Sequence, residues 1–375
     1  MGIRLTLFFT RGVSLQEWAQ NGMLDREVAL YHALQERNVQ TNFITHGLAY
    51  DLQYADRLKD IHIYCNRKGR SPERYEGWLP FLHALPLLRS DVIKTNQMNG
   101  ADLALRAARF YRKPLIARCG YLWSEFSEIE HGVGSPLAIK ARRIEDDVFR
   151  AAHSIVVTTA MMRDSISKRL PEAASKLHVI PNFVETNRFV PMNLTAEVDL
   201  LFIGRLHPQK NLENLLAAIR PLEVTLRVIG SGPLEHDLRA RFSDLNGRVQ
   251  WLGNLPNAEL PAQINRARMF ILPSHYEGHP KTLIEAMACG KATIGGRSPG
   301  IREIIQHEKN GWLCETHPDS IRAAIQHLVQ HPELREVLGK NARQFAVENY
   351  ALDPLAEREY RLLLKASQKV GTFQG

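Results

Sequence analysis

Two carboxylates, Glu277 and Glu285, stand eight positions apart in the stretch MFILPSHYEGHPKTLIEAMACG, residues 269–290. The apolar run at 269–272 reads as a buried strand ending at Pro273, followed by a polar turn over 274–279. Pro280, with its fixed φ and dispensable N–H, is expected as the first residue of a helix that runs to Cys289, with Gly290 just past its end. The start of such a helix offers free backbone N–H groups and roughly +0.5 of partial charge, which suits a phosphate. A carboxylate beside a phosphate site needs a purpose, and accepting hydrogen bonds from sugar hydroxyls supplies one.

The elements that position this stretch belong to a chain of 375 residues, 44% hydrophobic, long enough for two domains. The net charge of +8 favours anionic partners such as phosphates or an anionic membrane surface. Basic and acidic residues are interspersed, as at 140–147, so no nucleic-acid stripe is expected. The four cysteines, Cys65, Cys119, Cys289 and Cys314, form no CxxC pair, which argues against structural zinc and for a reduced, cytoplasmic setting. MGIRLTLFF is too short in its apolar part for a signal peptide, and no run approaches the roughly 20 apolar residues of a membrane span.

From the start, residues 3–9 read as a strand, 10–23 as a long loop with Gly12 and Gly22, and 25–35 as a helix with Asp25 as N-cap. Residues 39–45 complete a βαβ unit. Further strands are expected at 61–65, 91–95, 115–118 and 154–158, with helices between, the clearest over 100–110. The segment 120–134, with Trp123, Glu125, Glu128, Glu130 and His131, either lines a cleft or is a carboxylate-rich surface helix. HVIPNFVETNRFVP at 178–191 reads as a linker, placing a domain boundary at Phe183. The pattern then restarts with strands at 198–203, 224–229, 249–252, 269–272 and 292–294, a helix at 211–219, and mostly helix after Pro318. Two Rossmann-like α/β domains are predicted, 1–183 and 184–351, facing a cleft lined by strand carboxyl ends, with 352–375 returning to the first.

Five ordered segments carry a resemblance: VIPNFVETNRF (179–189), LLFIGRLHPQKNLENLL (200–216), IGSGP (229–233), VQWLGNL (249–255) and YEGHPKTLIEAMACGKATI (276–294). Together they resemble the retaining glycosyltransferases of the GT-B fold, family 4, whose E-x7-E spacing Glu277 and Glu285 reproduce. The first half resembles the family more faintly, at Gly22 and its following helix and at 91–96. It departs where many members carry a histidine: here Cys119 and Gly120 follow PLIAR.

The resemblance implies a hexosyltransferase of polysaccharide biosynthesis. It would take a nucleotide-diphosphate sugar as donor and a glycan, lipid-linked or small-molecule acceptor, using no metal or other cofactor. Arg205 and Lys210 would hold the diphosphate, capped by the helix start at Lys281, Thr282 and Leu283. Glu285 would hold the ribose, and Glu277 the donor sugar, with Gly278, His279 and Pro280. Gly22 would approach sugar and diphosphate, and Gly230 and Gly232 the nucleoside. On the acceptor side the expected residues are Asn96, with Arg118 or His131 in place of the absent histidine. The alternatives are a catalytically silent nucleotide-sugar-binding homologue and a nucleotide-sugar epimerase of the same fold. A cytoplasmic protein in peripheral contact with the inner membrane face would suit the charge.

Overall fold

The computed structural model describes residues 2–368. It divides into two compact units, the chain up to Pro181 together with the chain from Asp353 on, and Asn182–Leu352. The stretch 369–375, part of the segment expected to return to the first domain, lies outside the described residues.

The first unit is built on seven strands, β1 (Ile3–Phe8), β2 (Val39–Ile44), β3 (His62–Tyr64), β4 (Val92–Thr95), β5 (Leu115–Cys119), β6 (Ser154–Val157) and β7 (Leu177–Val179). They form one parallel sheet in the order β3-β2-β1-β4-β5-β6-β7. The second unit has six, β8 (Val198–Ile203), β9 (Leu226–Ile229), β10 (Val249–Trp251), β11 (Ala267–Leu272), β12 (Ala292–Gly296) and β13 (Trp312–Cys314). These are also parallel, ordered β10-β9-β8-β11-β12-β13. Both units are Rossmann-like. β5, β6 and β9 are buried at every position, Arg118 in β5 and Arg227 in β9 included, as strands covered by helices on both faces are.

Both sheets reverse strand order once, between β1 and β4 and between β8 and β11. Connections leave in opposite directions there, so the loops after the two strands part and leave a crevice at the carboxyl ends.

Several expectations are corrected. The loop expected over 10–23 contains a helix, Leu15–Gln20, capped by Ser14, whose Oγ accepts the Glu17 N–H at 3.0 Å. Its Trp18 stacks on Phe9 with ring centroids 4.3 Å apart. Six residues are too few to display a helical period. Asp25 lies within the first turn of the Leu24–Gln35 helix, and Met23 holds the cap position without a side-chain bond. The short strands β7 and β13 were not expected; β7 is half-buried at an edge and lacks an apolar run. Pro280 (φ −71°, ψ 115°) is the cap residue, and the helix is Lys281–Ala288 with Cys289 closing it.

The helix Leu352–Gln368 is tied to the first unit's sheet by ion pairs. Glu359, 1% exposed, takes Lys94 Nζ at 2.7 Å and Arg118 Nη1 at 3.0 Å. Arg37 reaches Asp353 at 2.5 Å and Glu357 at 3.2 Å.

Candidate functional site

The switch point of the second sheet brings two separate sequence stretches together. The loop after β8 carries Arg205 and Lys210, and the loop after neighbouring β11 carries residues 274–280. Lys210 Nζ donates to Glu277 Oε1 at 2.5 Å, with the side chains 15% and 7% exposed. Arg205 is exposed and its side chain enters no ion pair among the described residues. A shielded cation–carboxylate pair thus shares these loops with a guanidinium that is uncommitted among the described residues.

Backbone sutures hold this geometry independently of the charges. Gln209, buried, donates from Nε2 to Tyr276 O at 2.9 Å, and its own carbonyl accepts the His275 N–H at 2.9 Å. Asn211, left-handed at φ 58°, caps the Leu212–Ile219 helix and donates to Pro273 O at 2.9 Å and Thr316 O at 2.7 Å. Asn tolerates that conformation better than other non-glycine residues. Asn182 donates to His279 O at 2.6 Å, and the His279 ring packs edge-on against Tyr350 at 5.0 Å.

The Lys281–Ala288 helix points its first turn at this loop pair. Thr282 Oγ1 donates to Ile203 O, the last residue of β8, at 3.2 Å, which locks the helix start to the strand end. The N–H groups of Lys281, Thr282 and Leu283 are those a helix leaves without intrahelical partners. Glu285 is buried within the helix and accepts from Asn257 Nδ2 at 3.2 Å.

Glycines set the close approach of the loops. Gly230 has φ 129°, and a Cβ there would lie 2.0 Å from Gly204 O; at Gly232 it would lie 2.5 Å from Leu206 O. The turn after β9 therefore packs backbone-to-backbone on the loop that bears Arg205, which larger residues would prevent. Gly300 does the same for Gly278 and Glu277, whose carbonyl oxygens lie where its Cβ would be.

Three polar atoms around these loops, Ser274 Oγ, Ser298 Oγ and Asn257 Oδ1, are buried with no hydrogen-bond partner among the described residues. Buried polar groups are normally satisfied, and unpartnered ones beside a crevice are placed to bond a ligand or water. Asn257, Gln209 and Ser298 escaped the sequence reading. Asn257 lies in a short connection with no periodicity, and only the fold puts it against Glu285.

The residues expected on the acceptor side lie in the first unit and do not form one cluster. Gly22 (φ 67°) turns the chain between the Leu15–Gln20 and Leu24–Gln35 helices. Asn96 follows β4 at the first sheet's switch point, its N–H donating to Phe8 O at 2.8 Å and its Nδ2 to Thr10 Oγ1 at 3.4 Å. Arg118 is corrected: its guanidinium is buried against Glu359, which removes it from the role of a replacement for the absent histidine. His131 ends the Trp123–His131 helix, half-exposed, 3.9 Å from Glu130.

Comparison with known proteins agrees with this fold. The family model of glycosyl transferases group 1 matches residues 184–345, and that of Glycosyltransferase Family 4 matches 28–188. A glycogen synthase of Mycobacterium tuberculosis is 24% identical over 291 residues, 75% of this chain and 70% of that protein. A GDP-mannose-dependent alpha-(1-6)-phosphatidylinositol monomannoside mannosyltransferase of Mycolicibacterium smegmatis is 26% identical over 263 residues, 63% and 69% of the two chains. Among solved structures, sucrose-phosphate synthase from Thermosynechococcus elongatus superposes with a TM-score of 0.78 at 20% identity, covering 97% of this chain and all of that one. Anabaena Alr3699/HepE in complex with UDP and glucose gives 0.77 at 17%, with the same coverage.

Proposed function

Since the chain belongs to the glycosyl transferases group 1 and glycosyltransferase family 4 and is a glycosyltransferase, we propose that it moves a hexose from a nucleoside-diphosphate sugar with retention of configuration, without a metal ion. The acceptor is a glycan, a lipid-linked sugar or a small hydroxyl compound. The observation that carries this reading is the Lys210–Glu277 pair, 2.5 Å apart, on loops that also bear Arg205, which enters no ion pair among the described residues, and the start of the Lys281–Ala288 helix.

Each group then has a task. Arg205 and Lys210 meet the diphosphate, where hydrogen bonds to charged groups contribute about 1.5–3 kcal/mol each. Those interactions strengthen as charge develops on the leaving phosphate. The N–H groups of Lys281, Thr282 and Leu283 complete the anion seat. Glu285, oriented by Asn257, accepts from the ribose hydroxyls, and Glu277 from hydroxyls of the donor sugar. The leaving phosphate oxygen takes the proton of the acceptor hydroxyl on the same face of the sugar, so the protein supplies position and electrostatics rather than a nucleophile. Complexes of Anabaena Alr3699/HepE with UDP-glucose and the GDP-mannose dependence of the mycobacterial relative support the donor class.

A panel of nucleoside diphosphates screened by thermal shift tests this. A ligand at about 100 times its Kd adds roughly 2.7 kcal/mol, enough to raise the melting temperature measurably. Glu277→Ala is expected to abolish transfer while the protein stays folded; full activity in that variant would sink the assignment. Unchanged turnover in excess EDTA is expected, and NMR of the product anomer distinguishes retention from inversion.

A further inference from the structure

At the amino ends of β5, β6 and β7, the first unit holds a cavity of about 590 Å³. Leu115 and Ser154, the first residues of β5 and β6, lie in its wall. Six of its lining side chains are basic: Arg109, Lys113, His153, Lys176, His178 and Lys365. No carboxylate among the described residues lines it. The six arrive from separate parts of the chain, including the last turn of the Ala101–Phe110 helix, strand β7 and the Leu352–Gln368 helix. Chance crowding on one helix face is thereby excluded.

Carboxylates near the cations are shared with arginines outside the wall: Glu172 acts on Lys176 but is itself bound to Arg150 at 3.0 Å. Asp91 acts on Lys113 but is itself bound to Arg4 at 3.3 Å. Burial lowers the Lys113 ammonium, and burial with Lys365 and Arg358 nearby lowers His178. Lys176 is held in place by donating to Arg150 O at 2.6 Å. Like charges gathered into a concave wall repel one another and focus a positive potential that an anion relieves.

We propose that this cavity is a binding site for a phosphomonoester, separate from the nucleotide site. Substrates of parallel α/β sheets bind at strand carboxyl ends, and this cavity opens at the other end of the first sheet, so neither donor nor acceptor accounts for it. Its size exceeds that of a bare phosphate and lies in the range of small-molecule sites. The ester's source is either a free metabolite or a lipid headgroup. The second is suggested by Phe110, next to Arg109, which heads an exposed aromatic row with Phe81 at 5.2 Å and Trp78 a further 5.8 Å on. Exposed aromatic rings beside basic groups suit a membrane interface.

The test is calorimetric titration of glycerol 1-phosphate into the full chain and into a Lys113→Gln/Lys365→Gln variant. Saturable one-to-one binding is expected in the parent, displaced by inorganic phosphate and not by glycerol, and at least tenfold weaker in the variant. The variant should melt at the parent's temperature or above, because two crowded charges are gone. A control, Arg142→Gln/Arg143→Gln, alters basic residues elsewhere in the unit and should bind as the parent does. Co-sedimentation with vesicles of phosphatidylcholine, with and without phosphatidic acid, separates the sources. Phosphatidic acid-dependent binding that the variant loses supports the site and identifies a lipid phosphate, whereas soluble binding alone identifies a metabolite. Absence of both, or binding that the Lys113/Lys365 variant keeps or the control variant loses, overturns the proposal.

Discussion

Gly300→Ala is a one-methyl perturbation of the loop that carries Glu277, made from a residue that touches no proposed substrate atom. Gly300 lies in the short Pro299–Arg302 helix, buried, and its missing Cβ would fall 2.1 Å from Gly278 O and 2.4 Å from Glu277 O. Both neighbours are backbone, so no flexible side chain can swing aside. Restoring contact to about 3 Å requires the loop or the short helix to retreat by roughly 1 Å, and a misplacement of that size can cost about 100-fold in rate. The sutures at Gln209 resist the movement, so part of the strain is expected as lost stability, about 1–3 kcal/mol as in other overpacked sites. The assay is kcat/KM for release of nucleoside diphosphate from the best donor, measured well below the variant's melting temperature, with nucleotide affinity measured alongside. Donor turnover should fall about 100-fold while the affinity for the nucleoside diphosphate, which lacks the sugar, changes by no more than several-fold. Wild-type kcat/KM in a folded Gly300→Ala protein would show that the position of Glu277 does not govern transfer.

Two further outcomes concern the first unit. Glu359→Gln leaves Lys94, with 0% exposed side chain, and Arg118 buried without their carboxylate. Removing one member of such a group costs about 3–5 kcal/mol; urea unfolding that shows a loss under about 1 kcal/mol would contradict the buried assignment. His83 is held neutral, burial with Arg67 nearby pushing it down to about 4, while its Nε2 lies 2.9 Å from the Tyr75 hydroxyl. The folded value is below the unfolded one, so the unfolded chain takes up the proton first. The associated stability is complete above about pH 6.5 and is lost as pH falls toward 4, about 2 kcal/mol being gone by pH 5. His83→Gln should remove that portion of the acid sensitivity in melting curves between pH 7 and 5; curves of equal slope for the two proteins would refute it.

The donor loops were legible because β8 and β11 are apolar runs and the residues after them are distinctive in kind: Arg205, Lys210, Glu277 and a proline before a helix. What spacing does not encode is that β8 and β11 are neighbours in the sheet, and so the 2.5 Å Lys210–Glu277 contact is tertiary information. The same reason explains the miss at Arg118. Its position after a strand is readable, but its partner Glu359 lies 241 residues away on a helix that only the fold brings back. Local signals also failed where elements are short, as at Leu15–Gln20 and β7, which hold too few residues for a period to rise above the neighbouring turns.

That tertiary contact also answers the question that Glu277 raised in the sequence. On the proposed reading, an ionised carboxylate must stand close to a diphosphate, and two such anions repel strongly in a shielded crevice. Lys210, held against Glu277, is placed to lie between the two, shared by both. Arg205, which enters no ion pair among the described residues, leaves the loops with one positive charge in excess, to which the helix start adds its partial charge. A diphosphate would therefore be drawn in by charge that Glu277 does not already neutralise, with Lys210 still shared between the two anions. Exchanging the pair, Lys210→Glu with Glu277→Lys, keeps the attraction between the two side chains and puts the carboxylate on the loop after β8. Nucleoside diphosphate affinity should fall at least tenfold in that variant. Affinity equal to the parent's would mean that the anion does not lie against Lys210.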